Sequence, residues 1–155
     1  MNHTVWVVDA SALSEPLIVS LADVDKDAVE RFLKQAREQG WKLLAPNCLF
    51  YEVVGALRKA MAQYVEIAEQ LLKSLIAEFP IELTSCRELA VEALQISCKH
   101  TLSSYDAFYV ALAKRHRAKL LTSDARLKRA LASKPELAVE AYSLEDLGLF
   151  KAVAG

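Results

Sequence analysis

The stretch Thr4-Val5-Trp6-Val7-Val8-Asp9 decides the fold class. A short β-branched and aromatic run that ends in an acid reads as a buried strand, and its carboxylate projects from the carboxyl edge of the sheet. Lys119-Leu120-Leu121-Thr122, followed by Ser123-Asp124, repeats the arrangement. Residues 42–45, 81–83 and 138–142 are further strand candidates. Between these runs, apolar spacing predicts helices over 25–39, closed by Gly40, and over about 47–63, with Leu49, Val53, Leu57 and Ala60 on one face. Others are predicted over 65–78, 85–99, 105–116 and 125–132. Pro16 is expected to limit a helix over 12–20 to a first turn or a kink, and Pro46-Asn47 to supply a turn and N-cap. Strands alternating with helices imply an α/β fold with a mainly parallel sheet. No linker or repeat divides residues 1–155.

Composition narrows the class. The chain has 155 residues, 54% apolar and 25% charged, with four Gly and four Pro, which is globular and neither low-complexity nor collagen-like. No apolar run approaches the ~18–20 residues of a membrane helix, and the N-terminal residues have no basic leader pattern. Cys48, Cys86 and Cys98 are odd in number and form no CxxC pair, so neither a disulfide framework nor a zinc site is indicated and a reducing cytoplasm fits. The net charge is −1, yet residues 114–134 hold eight basic side chains against one acid, Asp124. That segment is either a solvated surface with cations at helix C-termini or a patch for phosphate, with Arg115, Arg117 and Arg126 as candidate contacts.

The acids carry the chemistry, and each has a bland alternative. Asp9 and Asp124 both follow strands and precede helices, so either could be only an N-cap. Two strands of one sheet ending in acids at the same edge is less ordinary, because that edge is where open α/β folds bind ligands. Ser103-x-x-Asp106 reads as a capping box, but Tyr105, Ala107, Phe108, Tyr109 and Val110 surround the acid with apolar groups, and a partly buried carboxylate needs compensation. Glu52, rotated away from the apolar stripe of its helix, reads alone as surface glutamate. Grouped carboxylates suit Mg2+ or Mn2+, which prefer oxygen ligands and can activate water beside a phosphate. His3, His100 and His116 have no metal-ligand spacing, and GxGxxG, Walker A and GxSxG patterns are absent. An aspartyl-phosphate role for Asp9 is a further alternative, although Ser11 stands where a DxD motif would need its second acid.

Val-Val-Asp9-Ala-Ser11, Glu52 in Tyr-Glu-Val-Val-Gly-Ala-Leu, Tyr-Asp106-Ala-Phe-Tyr-Val-Ala-Leu-Ala and Leu-Leu-Thr122-Ser-Asp124 together resemble the PIN-domain family, in particular VapC-type ribonuclease toxins. The resemblance implies a three-layer α/β/α sandwich with a mainly parallel central sheet and a metal-dependent endoribonuclease acting on RNA. It also implies a cognate antitoxin and a homodimer. Asp9, Glu52, Asp106 and Asp124 match the family's acidic quartet, the catalytic and Mg2+- or Mn2+-binding residues. Thr122 matches its usual hydroxyl residue, and Ser11 is placed to orient Asp9 or a substrate phosphate. Gly55 stands where many members carry Asn three residues after the helical Glu, which removes a side chain that could hydrogen-bond to the cluster. A PIN-like module that binds RNA or protein without cutting is the alternative this departure favours.

Overall fold

The structure, a computed structural model, describes residues 3–19 and 28–149. Five strands form one parallel sheet: β1 (Val5–Val8), β2 (Lys42–Pro46), β3 (Glu82–Thr84), β4 (Lys119–Leu121) and β5 (Ala141–Tyr142), in the order β3-β2-β1-β4-β5. The helices are α1 (Ala10–Val19), α2 (Ala28–Gln39), α3 (Leu49–Met61), α4 (Val65–Glu78), α5 (Cys86–His100), α6 (Ser104–His116) and α7 (Ala125–Ala132). A 3₁₀ turn over Pro135–Leu137, which the sequence did not signal, precedes β5. The arrangement is an α/β sandwich around a parallel sheet, the fold class expected from the sequence.

Pairing explains why β1 reads as an unbroken apolar run. Trp6 pairs with Leu43 on one side and Lys119 on the other, and Val7 with Leu44 and Leu120. A central parallel strand is covered on both faces, so it has no polar face to alternate. Trp6, Val7 and Val8 are buried. The Trp6 ring meets Phe32 of α2, Trp41 and Tyr142 at centroid distances of 5.8, 5.2 and 5.6 Å. The Lys119 ammonium lies 5.6 Å from the Trp6 ring centroid, where the ring quadrupole attracts it. Helix α6 packs on β1, β2 and β4, and α5 packs on α6. That double cover accounts for an α6 buried from Ala107 through Ala113 apart from Phe108, which is partly buried.

The local expectations meet three corrections. Helix α1 continues through Pro16 to Val19, so proline does not confine it to a first turn; α1 packs against α3, and that tertiary contact outweighs the lost backbone hydrogen bond. Residue 20 of that expectation, and residues 25–27 of the next, lie outside the described residues. Asn47 does not cap α3. Cys48 holds the cap position without a side-chain bond, and the Asn47 Oδ1 instead accepts the Cys86 N–H at 3.1 Å, tying the end of β2 to the start of α5. The buried stripe of α3 is Leu49, Val53, Leu57 and Met61, with Ala60 exposed, a strict four-residue period.

Helix ends are closed in left-handed geometry at Gly40, Thr101 and Arg117, with φ of 65°, 56° and 50°. At Gly40 the Trp41 N–H reaches the Ala36 carbonyl at 2.8 Å, a Schellman closure. Thr101 carries a β-branched side chain into a conformation that disfavours it by ~1–2 kcal/mol, and it is exposed. Thr101→Gly is therefore expected to raise the unfolding free energy by about 1 kcal/mol, after the added freedom of the unfolded chain is subtracted. Urea denaturation of the two proteins checks it.

Candidate active site at the carboxyl edge

The order of the strands creates the site. The chain runs outward from β1 to β2 and β3, then returns to the other side of β1 as β4, so β1 and β4 meet at a topological switch point. At such a point the connections leave in opposite directions and open a crevice beyond the carboxyl ends. Asp9 and Asp124 stand at the mouth of that crevice. The Asp9 N–H still donates to the Leu121 carbonyl at 2.9 Å, so the ladder fixes the backbone of the acid itself.

The Asp9 side chain is only 5% exposed. Its Oδ2 accepts the Ser11 hydroxyl at 2.8 Å and the Thr122 hydroxyl at 2.7 Å. Each hydroxyl has one proton, and each in turn accepts a backbone N–H: Ser123 onto Ser11 at 3.0 Å and Asp124 onto Thr122 at 3.1 Å. The turn after β4 thus feeds two directed hydrogen-bond chains onto one carboxylate oxygen. Ser11 and Thr122 are positioning residues for Asp9, and both were singled out in the sequence.

Helices supply the other acids. Asp106 sits in the first turn of α6, where its N–H donates to Ser103 Oγ at 3.2 Å. Asp124 caps α7, with Oδ1 accepting the N–H groups of Arg126 at 2.9 Å and Leu127 at 3.2 Å. The capping reading of Asp124 is therefore correct, and at Asp106 the structure shows the Ser103 half of the capping box. Glu52 is not a surface glutamate: its Oε1 is buried without a hydrogen bond of normal geometry, and so is the hydroxyl of Tyr109 close by.

The electrostatics tie the four acids together. Burial pushes Glu52 up to about 7, reinforced by the charges of Asp9 and Asp106 and opposed by the Cys48 thiol and Tyr109 hydroxyl. Burial also raises Asp9, against the pull of Thr122, Ser11 and the Ala10 backbone, with Asp124 adding to the rise. Asp106 is raised by burial and by Asp9 and Asp124, and lowered by Ser103 and Arg126. Among the described residues no three such side chains yet stand close enough to form a ready metal cage. Like charges in a crevice of low dielectric repel at this range, and one oxygen of Asp124 is turned to its helix. The donor set nevertheless fits a hard divalent cation: it is all oxygen, one buried oxygen lacks a partner, and burial and mutual repulsion raise three of the acids.

The basic candidates separate. Arg126, in the first turn of α7, is exposed and near enough to Asp106 to lower it. Arg115 and Arg117 lie at the other end of α6, about 14 Å of helix from Asp106 for Arg115 at 1.5 Å per residue. Arg115 is held by Glu92 at 2.6 Å and by the Glu88 carbonyl at 3.0 Å, and Arg117 closes the helix just before β4. Gly55 is exposed in α3, and a Cβ built there meets nothing within 4 Å.

A family model for the PIN domain matches residues 6–131, from β1 through α7. The chain belongs to the PIN-domain family. By sequence this PIN domain is similar to "Ribonuclease VapC3" of Pyrobaculum aerophilum, 33% identical over 126 residues that span 78% of this chain and 90% of that protein. By structure it is similar to the crystal structure of PAE2754 from Pyrobaculum aerophilum, with a TM-score of 0.63 over 93% of this chain and 92% of the other at 24% identity, a likeness of fold.

The raised acids set the pH dependence of the metal-free protein. A glutamate at about 7 in the folded state and near 4.5 when unfolded binds more protons folded than unfolded across that window, so stability falls as pH rises through it. Asp9 and Asp106 act in the same sense. Thermal unfolding of metal-stripped protein is expected to show a lower midpoint at pH 8 than at pH 5, and Glu52→Gln to flatten the slope.

Proposed function

We propose that this PIN domain is a Mg2+- or Mn2+-dependent endoribonuclease that hydrolyses RNA phosphodiesters, and that it is the toxin of a toxin–antitoxin pair. The observation that carries the proposal is that Asp9, Glu52 and Asp106 lie near enough to one another and to Asp124, at the carboxyl edge, for their charges to interact, in a chain similar to a named ribonuclease. The four acids would hold the cation, with Ser11 and Thr122 fixing Asp9. When bound, the ion would lower the pKa of a water and neutralise charge on the phosphate. The chain's own part is to hold the acids, to exclude water around Glu52 and Tyr109, and to present Arg126 to a phosphate oxygen at the rim.

Residues 1–155 are read as one domain. An exposed apolar groove between α3 and α4, about 430 Å³ and lined by Val54, Leu57, Met61, Val65, Ala68 and Leu72, supports a protein partner, the antitoxin or the second subunit of a homodimer. Among the described residues no helix is long and apolar enough to cross a membrane, and three free cysteines fit a cytoplasmic protein.

The second reading, a module that binds without cutting, draws on the open spacing of the acids and on Gly55. Metal-stripped protein incubated with an RNA panel separates the two. Cleavage is expected to begin on adding Mn2+ or Mg2+, to stop in EDTA, and to fall about 100-fold or more in Asp106→Asn. Cleavage that persists in EDTA or survives the substitution rules out the metal-dependent reading. Absence of cleavage together with absence of carboxylate-dependent Mn2+ binding in calorimetry establishes the binding module.

A further inference from the structure

The three cysteines divide into an exposed Cys98 and a pair that the sheet brings together. Pro46 and Thr84 are Cα partners in the parallel register of β2 and β3, so Cys48 and Cys86 each stand two residues past the same rung. Neighbouring strands lie about 4.8 Å apart, and the chains stay joined one residue beyond the rung. There the Asn47 N–H donates to the Thr84 carbonyl at 2.8 Å, and the Asn47 Oδ1 accepts the Cys86 N–H at 3.1 Å. Burial holds the Cys48 thiol above the usual thiol range, and Cys86 and Glu52 are near enough to add to that rise. Both cysteines are partly exposed. A disulfide needs Cα atoms about 4.4–6.8 Å apart, and the two hydrogen bonds at Asn47 keep the chains together up to Cys86.

We propose that Cys48 and Cys86 are an oxidisable dithiol that closes to an intramolecular disulfide, stapling the start of α3 to the start of α5 beside Glu52. The oxidant class is a peroxide. One sulfur attacks a peroxide oxygen, the O–O bond breaks, and a sulfenic acid forms as the first water leaves. The second sulfur then attacks the sulfenic sulfur, the S–S bond forms, and the hydroxyl departs with the second thiol's proton as another water. Two thiols lose two electrons and two protons, and hydrogen peroxide becomes two waters. Oxidation closes the loop that contains α3, α4 and β3. The inference stands on the β2–β3 register and holds whether or not the protein cuts RNA.

The test is oxidation of the full chain by hydrogen peroxide, followed by alkylation of remaining thiols and peptide mapping. The expected product is monomeric, lighter by about 2 Da before alkylation, with Cys48 and Cys86 in one linked peptide and Cys98 separate. Its thermal midpoint is expected to rise, because a cross-link restricts the unfolded chain; the rise should persist in Cys98→Ser and vanish in Cys48→Ser. Recovery of Cys48 and Cys86 as separate alkylated or overoxidised residues, once Cys98 has reacted, overturns the proposal. So does a product whose sole cross-link joins Cys98 of two chains.

Discussion

Everything at the carboxyl edge depends on a buried carboxylate, that of Asp9, held between two strand ends. An ionised acid this deep is unfavourable unless hydrogen bonds or a counter-charge offset its desolvation. Part of the offset comes from Ser11, in the first turn of α1, and Thr122, the residue just after β4. The two hydroxyls therefore join the first and the return strand of the sheet through a side chain, at the one place where strand order opens a crevice. Parallel pairing on both sides of β1 makes that possible, because it brings the end of β4 level with the end of β1.

The remaining acids arrive by a different route. Helix α6 lies across β1, β2 and β4 and brings Asp106 and Tyr109 toward the crevice, while α3 turns Glu52 inward beside Cys48. Neither helix needs these acids for packing. The stripe of α3 is apolar at Leu49, Val53, Leu57 and Met61, and α6 is buried through Tyr109, Val110, Leu112 and its alanines. Glu52 Oε1 and Tyr109 Oη are left buried and unsatisfied, a feature that folding alone would select against. Trp6 Nε1 is also buried without a partner, so what sets Glu52 and Tyr109 apart is their nearness to Asp9.

The sequence carried the strand-end part of this arrangement and little of the rest. Asp9 and Asp124 were legible because a strand followed by an acid places a carboxylate at a predictable edge. Thr122 and Ser11 were singled out through the family resemblance, and the structure shows both hydroxyls on Asp9 Oδ2. Glu52 was not legible from periodicity, since a residue off the apolar stripe of a helix looks solvated, and only the family resemblance singled it out; the fold buries its Oε1 near Tyr109 of α6. Asn47 misled for a related reason: its side chain satisfies a donor on α5, 39 residues on, instead of its own helix. The basic run at 114–134 read equally as a solvated surface or a phosphate patch; a helix end, a strand and a turn divide it, and of the three candidate arginines Arg126 is the one whose charge acts on Asp106. Thr101 and Arg117 in left-handed caps had no glycine to announce them.

The central claim is that the four acids form one divalent-cation site organised around Asp9. Anomalous scattering from a crystal of the protein soaked in Mn2+ tests it most directly. The account predicts a manganese peak ligated by Asp9 and at least one of Glu52, Asp106 and Asp124, and lost in Asp9→Asn. A peak elsewhere, or a peak at the carboxyl edge that Asp9→Asn leaves unchanged, would contradict it.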